Sequence, residues 1–175
     1  MKKIISPICD KDLLSLEAGD EILLTGTIYT GRDAAHKLMC QAVEKKEKLP
    51  FDIVGQTIYY VGPTPAKPGM PIGSCGPTSS YRMDRYSPIL MKHGLKVMIG
   101  KGERSEEFRK LMELHQGLYL IAIGGIGAKL ASTVKKAELV AYRELESEAI
   151  YRLEVEDFPC IVAYDMHGGN VFKQK

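Results

Sequence analysis

The chain lacks several things, and each lack narrows what it can do. It has no run of 18 apolar residues, so it offers no segment that reads as a membrane-spanning helix. It has no basic stripe either. The formal net charge is only +2, and the densest basic stretch, "EKKEK" at 44–48, is interrupted by acids. That is a solvated helix end, not the footprint of a nucleic-acid binder. No C-x-x-C pair occurs: Cys9, Cys40, Cys75 and Cys160 stand 31, 35 and 85 residues apart. Such spacing makes neither a zinc knuckle nor a self-contained iron–sulfur run. The opening "MKKIISPICDKD" has two lysines but no long apolar core, which makes a poor signal peptide. A cytoplasmic protein with reduced thiols is the resulting expectation. There is no internal repeat and no low-complexity tract.

What is present is an ordinary composition, 45% hydrophobic and 26% charged over 175 residues. That fits one domain, 1–175, able to bury roughly 70% of its unfolded surface without a disulfide or metal. The pattern then alternates. "EILLTGTIYT" (21–30), "TIYYVG" (57–62), "LKVMIG" (95–100) and "LYLIAIGG" (118–125) have strand character. Helical spacing marks 32–48, 105–117 and 127–137, and 78–94 starts like a helix that Pro88 divides or kinks. This order predicts an α/β domain with a mostly parallel sheet. The tail from Ala149 has two strand-like runs around Asp157–Pro159, which predicts an antiparallel, hairpin-like addition. Residues 62–77, "GPTPAKPGMPIGSCGP", are too rich in proline and glycine for helix or interior strand. Long ordered loops of this kind are usually functional.

Three basic residues follow strand ends or open helices: Arg32 in "TGRDAAH", Arg82 in "SSYRMD" and Lys101 in "IGKGERS". Ligands of open α/β sheets bind beyond the carboxyl ends of strands. An arginine at a helix start offers a bidentate fork to a carboxylate or phosphate. If the sheet brings the three together, they suit a small polycarboxylate; each alone reads equally as a surface cation. Asp33 at a helix start is explained by the helix dipole. His36 lies one turn beyond Arg32 and could support it. Thr78 precedes Arg82 by four residues, so a helix begun at Thr78 would put both on one face, with the threonine as an ordinary N-cap. "GGIGAKLA" (124–131) follows a strand with Gly125 and Gly127, but Leu130 breaks the dinucleotide fingerprint. A tight turn explains it first, and a backbone anion site second.

The blocks "LTGTIYTGRDAAH", "YYVGPTPAKPGMPIGSCGPTSSYRMD", "MIGKG" and "AIGGIGAKLA" occur in that order. Together they resemble the β subunit, or carboxyl-terminal region, of the iron–sulfur hydro-lyases, class I fumarase and L(+)-tartrate dehydratase. The resemblance covers nearly the whole chain. It implies a swivelling β/β/α three-layer domain and reversible addition of water to a small dicarboxylate. It implies a [4Fe–4S] cluster bound by a partner α subunit, with no metal held by this chain, and hence a hetero-oligomer. By position, Arg32, Arg82 and Lys101 match the family's substrate-carboxylate cations, and Thr78 matches its proposed proton-abstracting hydroxyl. The sequence departs from the commoner "TTAGRMD" at Ser79, Ser80 and Tyr81, which bears on substrate choice. Two other classes stay open. One is a swivelling carrier module working through a phosphohistidine at His36 or His167. The other is a nucleotide site at Gly125 and Gly127.

Overall fold

The computed structural model describes residues 1–123 and 127–173. Its strands are β1 (Lys2–Ser6), β2 (Glu21–Thr30), β3 (Thr57–Tyr59), β4 (Val97–Gly100), β5 (Leu118–Ala122), β6 (Val134–Ala141) and β7 (Ile150–Tyr164). Its helices are α1 (Asp10–Ser15), α2 (Asp33–Glu44), α3 (Ser87–Lys92), α4 (Glu106–Leu114) and α5 (Gly127–Ala131). The strands form one mixed sheet in the order β1-β2-β3-β4-β5-β7-β6. Pairing from β1 to β5 is parallel, while β7 runs antiparallel to β2, β5 and β6. Since β7 pairs with both β5 and β2, the ladder β2-β3-β4-β5-β7 closes on itself.

The central strands are buried on both faces, as parallel strands between layers must be. One core cluster takes Tyr59, Val97, Ile99, Leu118, Leu120, Phe158 and Val162. The other takes the alternate residues Ile58, Tyr60, Met98 and Tyr119, with Ala35 and Met39 of α2, Leu90 of α3 and Phe108 of α4. The continuous apolar runs of β4 and β5 follow from this two-sided burial.

Three expectations need correction. Residues 78–94 do not begin as an α-helix. Ser79 bridges Lys101 in parallel, a single 3-10 turn spans Ser80–Met83, and the α-helix starts only at Ser87. Ser80 is captured by the neighbouring strand end before a helix can form around it. The stretch 127–137 is not one helix either: α5 stops at Ala131 and β6 begins at Val134, paired with β7. The tail is not a hairpin. β7 is one strand of 15 residues that passes straight through Pro159, turning at Asp157, whose φ is 53°. Gly124 and Gly125 of the glycine turn lie outside the described residues.

Candidate functional site

The four residues picked from sequence gather at one edge. Arg32 follows the carboxyl end of β2, and Lys101 follows that of β4. Between them runs β3, and the backbone N–H of Thr78 donates to the carbonyl of Tyr60, just past its end, at 2.8 Å. The strands β2, β3 and β4 are neighbours and parallel, so their carboxyl ends coincide. Arg82 lies in the 3-10 turn that Thr78 leads into.

Two sets of hydrogen bonds build this edge. The Ser80 N–H donates to the Lys101 carbonyl, and the Lys101 N–H donates to Ser80 Oγ, both at 3.0 Å. Residues 79 and 80 thus extend the sheet beside Lys101. Gly100 makes the approach possible, because a Cβ there would stand 1.8 Å from Ser80 Oγ. Gly62 does the same for Arg32, whose Cδ would meet a Cβ at 2.9 Å. Arg32 therefore lies along the backbone of the chain leaving β3. Thr78 does not cap a helix with its side chain, and it does not share a helix face with Arg82.

Asp33 sits between the two arginines. Its Oδ2 accepts from Arg82 Nε at 3.1 Å, and its Oδ1 lies 3.8 Å from Arg32 Nε. Glu148 approaches the same Nε at 3.8 Å. The helix dipole accounts for Asp33 at the first turn of α2, but these contacts also make it a spacer between the arginines. An open cleft of about 700 Å³, lined by Asp33, Tyr81, Arg82, Asp84 and Arg85 among others, lies beside Arg82. Tyr81, in the departure "SSY", is 64% exposed there.

His36 supports Arg32 through the backbone. Its Nδ1 lies 2.8 Å from the Arg32 carbonyl. A carbonyl only accepts, so Nδ1 carries the proton of a neutral ring. Burial holds the ring neutral, lowering its pKa to about 4 against the opposing pull of the Arg32 carbonyl. A fully buried ring is no place for a phosphoryl group. His167 is exposed, but it follows β7 at the opposite, amino-terminal edge of the parallel strands, with Nε2 2.9 Å from the Leu14 carbonyl.

Sequence reasoning missed Arg104 and Asp84. The Arg104 side chain is completely buried, with Nε donating to Asp84 Oδ1 at 2.6 Å. Neither periodicity nor a motif marks a loop arginine as buried. The only hint is its place, between a strand end that carries Lys101 and the acidic first turn of α4.

Among the described residues no three of His, Cys, Asp or Glu gather to hold a metal ion. All four thiols are single. Burial pushes the Cys75 thiol up to about 11 and Cys160 higher still, which keeps both protonated and unreactive at neutral pH.

Comparison with known proteins gives the chain's family. The family model for the fumarase C-terminus matches residues 3–175. The class I anaerobic fumarate hydratase of Escherichia coli is 40% identical over 176 residues, 99% of this chain and 31% of that protein. The mitochondrial fumarate hydratase 1 of Leishmania major is 40% identical over 153 residues, 86% of this chain and 28% of that protein. A Methanocaldococcus jannaschii protein, provisionally named L(+)-tartrate dehydratase subunit beta, is 36% identical across 99% of this chain and 92% of its own length. The chain spans about a third of the fumarate hydratases it matches, and almost all of the separate beta subunit. On the match of residues 3–175 and these identities, the chain belongs to the fumarase C-terminus family.

Proposed function

We propose that residues 1–175 form a single swivelling β/β/α domain serving as the β part of a hydro-lyase. It works with an α partner that holds a [4Fe–4S] cluster. The substrate is a small dicarboxylate, fumarate/malate first and tartrate next. The observation that carries this reading is the gathering of Arg32, Arg82, Lys101 and Thr78 on the coincident ends of β2, β3 and β4. Likeness to a free-standing beta subunit supports the division into two parts.

In this reading Arg32 and Arg82 bind substrate carboxylates, the guanidinium fork matching two oxygens. Lys101 adds a third positive charge. Thr78, as its alkoxide, takes the proton from the carbon next to a carboxylate and becomes the neutral hydroxyl, while the hydroxyl of the neighbouring carbon leaves as hydroxide that the Lewis acid held by the partner would accept. A threonine hydroxyl is a very weak acid, so it needs a positive field or an adjacent base to do this. Arg82 and Lys101 supply that field from either side of residues 78–80. Asp33 bridges the arginines, 3.1 Å from Arg82 Nε and 3.8 Å from Arg32 Nε, and so orients both. The cluster's own chemistry lies with the partner.

The test is anaerobic co-expression with the α partner, following fumarate and L(+)-tartrate optically. Thr78→Ala and Arg82→Ala are each expected to lose about 100-fold or more in kcat/KM. Full activity in either variant rejects the site. Tyr81→Gly, which restores the commoner residue beside Arg82, is expected to change the ratio of kcat/KM between fumarate and tartrate. An unchanged ratio removes Tyr81 from substrate choice.

A further inference from the structure

A charged side chain with no exposed surface calls for an explanation. Arg104 lies flat against Phe108, its guanidinium carbon 3.6 Å from the ring centre, with Tyr60 and Tyr119 at 5.0 and 4.9 Å. Its three nitrogens all donate: Nε to Asp84 Oδ1 at 2.6 Å, Nη1 to Tyr60 Oη at 3.1 Å and Nη2 to Ser87 Oγ at 3.4 Å. Its backbone N–H donates to Tyr164 Oη at 2.7 Å. The second oxygen of Asp84 accepts the Ser105 N–H at 2.8 Å.

Stability alone does not account for this arrangement. A buried ion pair is often no better than the apolar side chains that could replace it. What the pair does fix is geometry. Arg104 lies three residues past Lys101, and Asp84 two residues past Arg82. Tyr60 is the residue whose carbonyl holds the Thr78 N–H. One guanidinium, three residues past Lys101, therefore touches the segment that carries Arg82 and the tyrosine whose carbonyl holds Thr78, and each of its nitrogens is engaged within the fold. The Gly102 carbonyl is held in turn by Tyr119 Oη at 2.8 Å.

We propose that Arg104 is a positioning residue. Its guanidinium fastens the segment carrying Lys101 to those carrying Arg82 and Thr78, and so sets the spacing of the three. The proposal rests on the hydro-lyase reading for its purpose, but the linkage itself stands on the contacts above.

The experiment uses Arg104→Lys, which keeps a cation facing Asp84 and loses the fork to Tyr60 and Ser87. Deuterium uptake is read by mass spectrometry in residues 78–84 and 100–105, alongside kcat and KM per folded site in the complex with the α partner. Uptake is expected to rise in both segments together and not in β7. A misplacement of about 1 Å is enough for a loss of about 100-fold in kcat/KM. Phe158→Leu, in the core cluster away from Arg104, is the stability control, and its kcat/KM per folded site is expected to stay at the wild-type level. Asp84→Asn keeps the shape of the acceptor, and it carries both readings if the lysine variant does not fold. Unchanged uptake in the two segments, or unchanged kcat/KM in a folded variant, overturns the proposal. If the wild-type complex acts on neither fumarate nor tartrate, the hydro-lyase reading fails, and uptake alone decides the linkage.

Discussion

The loop after β3 and the loop after β4 reach the same edge by different means. The first is long and rich in proline and glycine, and many small contacts hold it. Thr64 and Ser74 exchange two hydrogen bonds across it, of 2.9 and 2.8 Å. The Tyr59 hydroxyl donates to the Cys75 carbonyl, and the Cys75 N–H donates to the Gly127 carbonyl. Ile72 and Cys75 are buried beneath it. The second loop is short, and one buried guanidinium holds most of it. The long loop spreads its order over rigid backbone, so it tolerates single losses. The short loop concentrates its order in Arg104, so it does not.

This contrast can be broken or sharpened by measurement. Arg104→Ala leaves Asp84 without its partner and is expected to lower unfolding free energy by about 3–5 kcal/mol in a urea titration. A loss under about 1 kcal/mol would mean that the short loop is as diffusely held as the long one. Acid comes next, acting on His36 beneath Arg32. The folded pKa is about 4 and the ordinary value 6.5, so the unfolded chain binds more protons between them. The contribution is complete above the ordinary value and falls as pH drops towards 4, by about 3 kcal/mol in all. Urea midpoints from pH 7 to 4 check this, and His36→Asn should flatten the slope. Gly100→Ala would force Ser80 Oγ off the Lys101 N–H where the two loops join. It is expected to destabilise by about 1–3 kcal/mol and to raise exchange in both loops. The smallest effect belongs to the long loop. Thr64→Val removes one exposed acceptor and is expected to cost about 1 kcal/mol or less in thermal denaturation.

The parts of the fold that sequence made legible are those decided locally or by two-sided burial. "EILLTGTIYT" is β2 from first residue to last, and the apolar runs of β4 and β5 fall where their burial requires. The start of α4 at Ser105 also follows local rules, its Oγ accepting the Phe108 N–H at 3.1 Å. What was not legible depends on partners distant in sequence. Residues 134–141 hold good helix formers, yet pairing with β7 overrides them. Ser79 and Ser80 look like a helix start until Lys101 claims them. Pro159 looks like a break, but its carbonyl accepts the Ile123 N–H at 3.0 Å and the strand continues. At the site, strand-end position pointed to Arg32 and Lys101 because the edge of a parallel sheet is a general address. Arg104 had no address, because its burial is made by Phe108, Tyr60 and Tyr119 from three separate segments.

The pairing of β2 with β7 along residues 21–29 and 152–161 carries a cost during synthesis. Until the chain reaches residue 152, one flank of β2 has no mate. Its unpaired N–H and C=O groups then form a template for another chain's strand, and the contacts that close the ladder are among the most distant in sequence, which slows folding. A chain cut short before that point would keep an open sheet edge, prone to joining its own copies.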